Sequence, residues 1–180
     1  MTFDEDRYHV RLARSDEVAK LREIEDAAGE LFNGLDLCDQ ENSGMSPERV
    51  TALIGLGQAW VICGQDEEPV GMALASEMGG ELYLDEIDVI PSYGKRGLGS
   101  VLLEHVCEWA FSNGFDSVTL STFRDVHWNG PFYRNHDFYD LAEDEWSTNM
   151  KKLRATEIRY GLRVEVRVFM RRDLRGRNAA

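Results

Sequence analysis

The clearest chemical pattern in the chain is the run of glycines and basic residues at positions 94–99, GKRGLG. A strand pattern precedes it up to Val89, and an amphipathic helix pattern follows from Leu98. The first amides of a helix have no acceptor within the helix, and the helix dipole places about half a positive charge there. The turn therefore predicts a site for an anion such as a diphosphate, to which Lys95 and Arg96 would add full charges.

The spacing of the glycines separates this turn from two common phosphate-binding loops. A Walker loop requires Gly-x-x-x-x-Gly-Lys followed by Ser or Thr, and the sequence contains no such string. A dinucleotide fingerprint requires Gly-x-Gly-x-x-Gly near the first strand, whereas here Gly94, Gly97 and Gly99 lie in the middle of the chain. An ordinary strand-turn-helix junction remains the alternative interpretation.

A second patterned segment covers residues 128–138, with the sequence WNGPFYRNHDF. Together with the glycine turn that follows a strand ending in Val-x-Pro, it resembles motifs A and B of the GNAT superfamily of N-acetyltransferases. The resemblance extends over about residues 8–174. Two positions depart from the family pattern: Gly94 replaces the usual Arg or Gln, and Asp137 replaces the Gly that precedes Phe138.

This resemblance implies a reaction and a cosubstrate, which are the transfer of an acetyl group from acetyl-CoA to an amine. It also implies contacts to coenzyme A from strand backbone, from the glycine turn and from motif B. The residues so implied are Ile87, Asp88, Val89, Lys95, Arg96, Gly97, Leu98, Gly99, Ser100 and Asn129. The alternative is a regulatory protein with the same fold that binds an acyl-CoA and turns it over little.

Two catalytic roles follow from the chemistry of acyl transfer to an ammonium whose pKa is about 10. A general base must remove a proton, directly or through water, and Glu86 is the first candidate, with Asp85 and Asp88 as its neighbours and His127 as a rival. By the resemblance, the phenol of Tyr133 protonates the departing thiolate. The alternative role for Tyr133 is that of a core residue in an aromatic cluster.

The elements that would position these residues form an α/β (α+β) fold. Its mixed central sheet has about six to seven strands, with helices on both faces. Predicted strands cover residues 8–13, 59–63, 70–76, 82–89, 117–122, 138–141 and 163–170, and predicted helices cover 15–32, 46–57, 98–113 and 149–159, with a short helix from Pro131. Ser15 and Ser46 are the expected caps of the first two helices, and Gly114 is the expected terminator of the third.

The central strand carries a sign of irregularity. Its apolar residues are even-numbered at Leu82 and Leu84 but odd-numbered at Ile87 and Val89. Since side chains alternate along a strand, this change of parity predicts a bulge near residues 85–86. The strand-helix-strand order around it predicts a parallel pair, because such a crossover joins parallel strands.

Length, charge and cysteine content limit the domain number, the partners and the cellular location that we expect. A chain of 180 residues with a formal net charge of −13 predicts a single domain, residues 1–180 with a frayed tail from about 175, and disfavours nucleic acid and anionic membranes as partners. The same charge would attract a cationic amine acceptor. Cys38, Cys63 and Cys107 form no CxxC pair and no metal-ligand cluster is evident, so buried thiols and a cytoplasmic location are expected. A homodimer is compatible with the family.

Overall fold

The computed structural model describes residues 7–37 and 44–175. The strands are β1 (His9–Leu12), β2 (Ala59–Cys63), β3 (Pro69–Met78), β4 (Glu81–Val89), β5 (Ser117–Phe123), β6 (Tyr139–Asp140) and β7 (Arg167–Asp173). The helices are α1 (Val18–Gly29), α2 (Pro47–Gly55), α3 (Leu98–Ser112), α4 (Gly130–Arg134) and α5 (Thr148–Arg159).

In the described part of the chain the strands form one seven-stranded sheet in the order β1-β2-β3-β4-β5-β7-β6. β4 and β5 pair in parallel, Leu82 with Val118 and Tyr83 with Thr119, whereas β1–β2, β2–β3, β5–β7 and β6–β7 are antiparallel. The mixed α/β sheet and its parallel pair were therefore predicted correctly.

The backbone divides into two compact units, and we describe each by itself. Unit 1 contains described residues 7–33, 44–76 and 84–109, and unit 2 contains 34–37, 77–83 and 110–175. The predicted single domain stays a prediction. Of the predicted frayed tail, residues 176–180 lie outside the described residues, as does Cys38.

In unit 1, helices cover both faces of the strands. Leu21 of α1 and Leu53 of α2 belong to one buried apolar cluster with Val61 of β2. The neighbouring side chain, Trp60, points to the opposite face because side chains alternate along a strand. There its ring packs edge-on against Trp109 of α3, with 5.2 Å between the ring centroids. Burial of both faces makes β2 apolar throughout.

In unit 2, α5 packs on β7 through a small apolar cluster and a buried ionic network. Phe169 of β7 belongs to the cluster with Met150 of α5. Beside it, Glu157 Oε1 accepts hydrogen bonds from Ser121 Oγ at 2.5 Å and from Arg167 Nε at 3.0 Å. These contacts join α5 to both β5 and β7.

Helix boundaries follow the predicted signals except at the first helix. Ser46 Oγ accepts a hydrogen bond from Arg49 N at 3.3 Å, and Gly114 takes a left-handed φ of 86°, as predicted for a cap and a terminator. Ser15 is not the cap of the first helix, because it lies inside a 3-10 turn. That turn is closed instead by Glu17, whose Oε2 accepts from Arg14 N at 2.7 Å.

The start of the last strand was also predicted wrongly. Residues 163–166 alternate as a strand would, yet Val164–Val166 form a 3-10 turn and β7 begins at Arg167. Arg163 N donates to Leu37 O at 3.0 Å, and Val166 N donates back to Arg163 O at 3.2 Å. These bonds occupy the amides of Arg163 and Val166 at the two ends of the segment, where strand pairing would need them.

No helix between residues 7 and 37 or between 44 and 175 has both the length and the hydropathy that a membrane span requires.

Candidate functional site

In unit 1, the chain passes from β4 to α3 through a short, hydrogen-bonded connection. Ile90 N donates to Val70 O at 2.9 Å, which fixes the end of β4 against β3. A 3-10 turn, Pro91–Tyr93, follows at once, and Tyr93 N donates to Ile90 O at 2.8 Å. These hydrogen bonds fix the position of the glycine turn relative to the end of β4.

The glycine turn adopts a backbone that leaves its helix N-terminus open. Lys95 and Gly97 both take left-handed φ angles, 60° and 80°. Val101 N donates to Gly97 O at 3.1 Å, which is the first hydrogen bond of α3. The amides of Leu98, Gly99 and Ser100 precede that bond, so the helix offers them no acceptor. These three amides are the donors that an anion would use, and the predicted anion site stays a prediction.

The departure at Gly94 lies in a tight part of this turn. Its φ of −60° is open to any residue, but a Cβ there would lie 3.0 Å from Pro91 O. The side chain found in the family pattern would require this turn to give by a few tenths of an ångström. Arg96 supplies a side chain nearby, and its Nη1 donates to Tyr8 Oη at 2.9 Å. No sequence pattern indicated this contact with Tyr8, which is 88 positions away.

Of the three candidate bases on β4, Asp85 is anchored by neighbouring side chains. Its Oδ1 lies 3.6 Å from Arg49 Nη2 of α2, and Ser76 of β3 also hydrogen-bonds its side chain. Its other oxygen is buried and has no hydrogen-bond partner. Burial raises the pKa of Asp85, and the contacts to Ser76 and Arg49 offset that rise only in part.

Within the part of the chain that the structure describes, Asp88 has no contact that offsets the effect of burial on its pKa. Burial, followed by the charge of Glu25 on α1, raises the pKa of Asp88 to about 7. Glu25 is itself half-buried, and burial raises its pKa as well, although its Oε1 accepts from Met45 N at 2.9 Å. A carboxylate whose pKa is near 7 exchanges protons in the range a general base requires. Sequence reasoning missed Glu25, which occupies an unremarkable helix position.

The positions of Asp85 and Asp88 support the predicted bulge. Asp85 contacts α2, Asp88 lies near α1, and both helices cover the same face of unit 1. Residues three apart share a face of a strand only where the alternation is interrupted. Glu86, the preferred base, lies in this irregular stretch and is half-buried, as are Ile87 and Val89.

In unit 2, Asn129 stands at the start of α4 with an unused acceptor. Its backbone is fixed, because Asn129 N donates to Val126 O at 2.9 Å and Asn129 O accepts from Tyr133 N at 3.1 Å. Its side-chain Oδ1 is buried and has no hydrogen-bond partner. Buried acceptors are rarely left unpaired in folded proteins, so this oxygen is available to a ligand donor.

Tyr133 is held in an aromatic cluster. Its ring lies edge-on to Phe132 and Phe138, with centroid distances of 5.1 and 5.6 Å. The side chain is buried and only 7% exposed. The cluster predicted as the alternative role is thus present, and it fixes the direction of the phenol whatever chemistry the phenol performs.

Two backbone features fix the segment around Tyr133. A Cβ at Gly130 would lie 2.2 Å from Arg124 O, so the chain passes too closely there for any other residue. Asp137, the second departure from the family pattern, has a left-handed φ of 64°. Asp adopts that conformation at a modest cost, so the turn keeps the shape that a glycine would give it.

The structure thus groups the predicted site residues within each unit. Unit 1 joins the end of β4 to the glycine turn and brings Glu25 beside Asp88, while unit 2 joins Asn129 to Tyr133. His127, the rival base, is an exposed loop residue. Among residues 7–37 and 44–175, no group of three His, Cys, Asp or Glu side chains could hold a metal ion. Cys63 and Cys107 are buried and form no disulfide, and burial raises the pKa of Cys63 to about 11.

Residues 28–138 match the family model described as the acetyltransferase (GNAT) family. The chain belongs to this family. The matched range contains both segments that resembled its motifs, the glycine turn and the region around Tyr133.

Solved structures share the fold at low sequence identity. N-acetylglutamate synthase from Neisseria gonorrhoeae, in complex with coenzyme A and N-acetylglutamate, has a TM-score of 0.71 and 18% identity over 93% of this chain. The match spans only 35% of the length of that synthase. PaiA N-acetyltransferase from Thermoplasma acidophilum, in complex with coenzyme A, has a TM-score of 0.70 and 13% identity, covering 92% of this chain and 98% of its own. The ribosomal-protein-S18-alanine N-acetyltransferase of Escherichia coli has a TM-score of 0.65 and 16% identity, covering 96% and 99%.

Proposed function

We propose that this protein is an N-acetyltransferase that moves the acetyl group of acetyl-CoA to a primary amine by direct attack. The observation that carries the proposal is the open N-terminus of α3 behind the turn at Lys95 and Gly97. Unpaired amides and the helix dipole favour a diphosphate, and coenzyme A carries one. Membership of the family and the coenzyme complexes of its structural relatives support the same cosubstrate.

The proposed coenzyme contacts follow the order of the chain. The backbone of Ile87, Asp88 and Val89 would pair with the pantetheine arm. The pyrophosphate would rest on the amides of residues 96–100, with the charges of Lys95 and Arg96 beside it. In unit 2, the orphaned Oδ1 of Asn129 would accept a hydrogen bond from the coenzyme.

Two side chains carry the proposed chemistry. Glu86, directly or through water, would take a proton from the ammonium, so that the nitrogen forms a bond to the acetyl carbon. The carbon–sulfur bond then breaks, and the departing thiolate would take the proton of the Tyr133 phenol. Asp85 and Asp88 are the competing bases, and their raised pKa values favour them as proton acceptors near neutral pH.

The acceptor is proposed to be a cationic amine. Around Asp88, unit 1 gathers carboxylates whose charges are poorly compensated, since the charge of Glu25 raises the pKa of Asp88. A positively charged acceptor would relieve this repulsion. The net charge of −13 would also draw such a molecule toward the protein. A cytoplasmic location and a homodimer remain predictions.

The first test is isothermal titration with acetyl-CoA and with desulfo-coenzyme A, followed by an amine screen that detects the released thiol. We expect both ligands to bind in the micromolar range and at least one cationic amine to release thiol. Absence of binding by both would overturn the proposal. Binding without turnover of any amine would favour the regulatory alternative.

Tyr133→Phe and three base variants then assign the roles. Y133F keeps the ring in its cluster and removes only the hydroxyl, so we expect coenzyme affinity to persist while kcat falls about a hundredfold. Glu86→Gln, Asp85→Asn and Asp88→Asn identify the base by the loss of the acidic limb of the pH profile of kcat/KM. A profile unchanged in all three variants would exclude a β4 carboxylate as the base.

A further inference from the structure

A buried phenol near the start of the chain contacts the proposed phosphate turn. Tyr8 immediately precedes β1, is 7% exposed, and accepts a hydrogen bond from Arg96 Nη1 at 2.9 Å. Both residues belong to unit 1. This side-chain hydrogen bond joins the described start of the chain to the 94–97 turn. It therefore links two segments that are remote in sequence.

Arg96 is held on two further sides. Its Nη2 donates to Ser92 O at 3.4 Å, and its guanidinium carbon lies 5.3 Å from the centroid of the Tyr93 ring. Stacking engages one face of the guanidinium and leaves its edges for hydrogen bonds. Because a guanidinium carries more N–H donors than these contacts use, donors remain for a phosphate.

Holding Arg96 in advance has a thermodynamic consequence. A free arginine side chain loses rotamer entropy when a ligand fixes it. A side chain already fixed in the unliganded protein does not incur that cost on binding, so the ligand binds more tightly. Arg96 also directly precedes Gly97, whose carbonyl accepts the first hydrogen bond of α3. The direction of Arg96 is therefore tied to the helix N-terminus that would receive the same anion.

We propose that Tyr8 is a positioning residue for the phosphates of coenzyme A, acting through Arg96. This inference rests on the proposed function, since it concerns the same phosphate turn. Tyr8 itself need not touch the ligand. Its hydroxyl orients the guanidinium, and its buried ring keeps that hydroxyl in place.

The test compares coenzyme A affinity in four full-length proteins: the parent, Tyr8→Phe, Arg96→Met and the double variant. Phe fills the space of the Tyr8 ring and removes only the hydroxyl. We expect Y8F to raise the Kd for coenzyme A about fivefold. In a turnover assay it should raise KM for acetyl-CoA by a similar factor while leaving kcat unchanged. In the R96M background, the Y8F change should have no further effect on Kd.

A matched control separates positioning from loss of stability. Tyr139 Oη in unit 2 donates to Asp173 Oδ2 at 3.0 Å, so Tyr139→Phe also removes one hydrogen bond between a phenol and a charged residue. We expect Y139F to bind coenzyme A as the parent does. Unfolding temperatures are measured for all five proteins, and R96M keeps the test valid if Y8F unfolds, because Arg96 is exposed. In that event R96M must itself raise Kd at least fivefold.

The outcomes distinguish the inference from the proposed function. If the parent binds coenzyme A and Y8F binds equally well, the inference is wrong and the proposed function stands. An equal loss of affinity from Y8F with and without Arg96 would mean that Tyr8 does not act through Arg96, which also overturns it. If the parent fails to bind coenzyme A, both fall together.

Discussion

The candidate site residues of the two units are held in different ways. In unit 1 the turn at Lys95 and Gly97 offers backbone amides at an exposed helix end. In unit 2, Tyr133 is buried in an aromatic cluster, and Asn129 is half-buried with a buried Oδ1 and a hydrogen-bonded backbone. The geometry of backbone donors depends on the φ angles of the turn. The geometry of packed side chains depends on the room that neighbouring atoms leave for them. Substitutions should therefore affect ligand binding in unit 1 and folding in unit 2.

The largest expected effect is at Gly130. Ala at this position would place its Cβ 2.2 Å from Arg124 O, and backbone cannot yield as a flexible side chain can. We expect Gly130→Ala to lower the free energy of unfolding by about 3 kcal/mol, measured by urea denaturation. Gly29→Ala is the control, because nothing lies within 4 Å of a Cβ at Gly29 in α1. It should be neutral or stabilising by about 0.5 kcal/mol. Equal effects of the two variants would contradict steric control of the turn.

Asp88 is an exception in unit 1, because its negative charge should lower the stability of the folded protein. Its pKa is raised from 3.8 to about 7, so the folded state holds a proton that the unfolded chain releases between these values. Stability of the parent should therefore fall as pH rises through this window. Asp88→Asn removes this loss, so its advantage over the parent should grow from pH 4 to 7 and level off above that range.

Urea denaturation at several pH values measures this difference. Asp144→Asn, at an exposed position, controls for the removal of one negative charge from an acidic protein. An advantage of D88N that does not change with pH would show that the carboxyl group titrates alike in the folded and unfolded states.

A smaller effect on the fold, together with a clear effect on binding, is expected at Gly97. Its φ is 80°, but no atom lies within 4 Å of a Cβ there, so the strain of an alanine would be in the backbone alone. We expect Gly97→Ala to cost about 1 kcal/mol of stability and about tenfold in coenzyme A affinity. Gly55→Ala, with similar space and no left-handed φ, is the control for both measurements. Unchanged affinity in G97A would mean that the turn backbone does not hold the phosphates.

The smallest expected effect is a gain at Asp137. Glycine adopts the observed φ of 64° without strain, so Asp137→Gly should stabilise the protein by about 0.5 kcal/mol. Asp137→Asn removes the same charge but keeps a side chain that tolerates this φ. Thermal unfolding of both variants isolates the conformational part. A loss of stability in D137G alone would show that contacts of the Asp137 side chain outweigh its backbone strain.

The sequence predicted those parts of the fold that depend on local signals. Gly114 marked the end of α3, and Ser46 with Pro47 marked the start of α2, because caps act within a few residues. The segment from β4 to α3 was predicted for the same reason. Its side-chain periodicity, its proline and its glycines all agree on one structure.

Features that depend on remote neighbours were not predictable. Residues 163–166 alternate as a strand, but they form a turn, with a hydrogen bond from the backbone amide of Arg163 to Leu37 O. The raised pKa of Asp88 depends on burial and then on the charge of Glu25, which is 63 positions earlier in the sequence and on a different element. The contact between Tyr8 and Arg96 belongs to the same class. Tertiary contacts of this kind leave no pattern in a single sequence.

The buried thiols bear on how the enzymatic test can be run. Reagents that detect released coenzyme A react with thiolates, and Cys63 and Cys107 are shielded from solvent, the first with a pKa of about 11. In the folded protein these two side chains should contribute little background colour. Unfolding would expose both thiols, so a variant that loses its structure should give a higher background signal in a reaction without substrate. The same reagent would then report product formation in the complete reaction and the folded state of the protein in the blank.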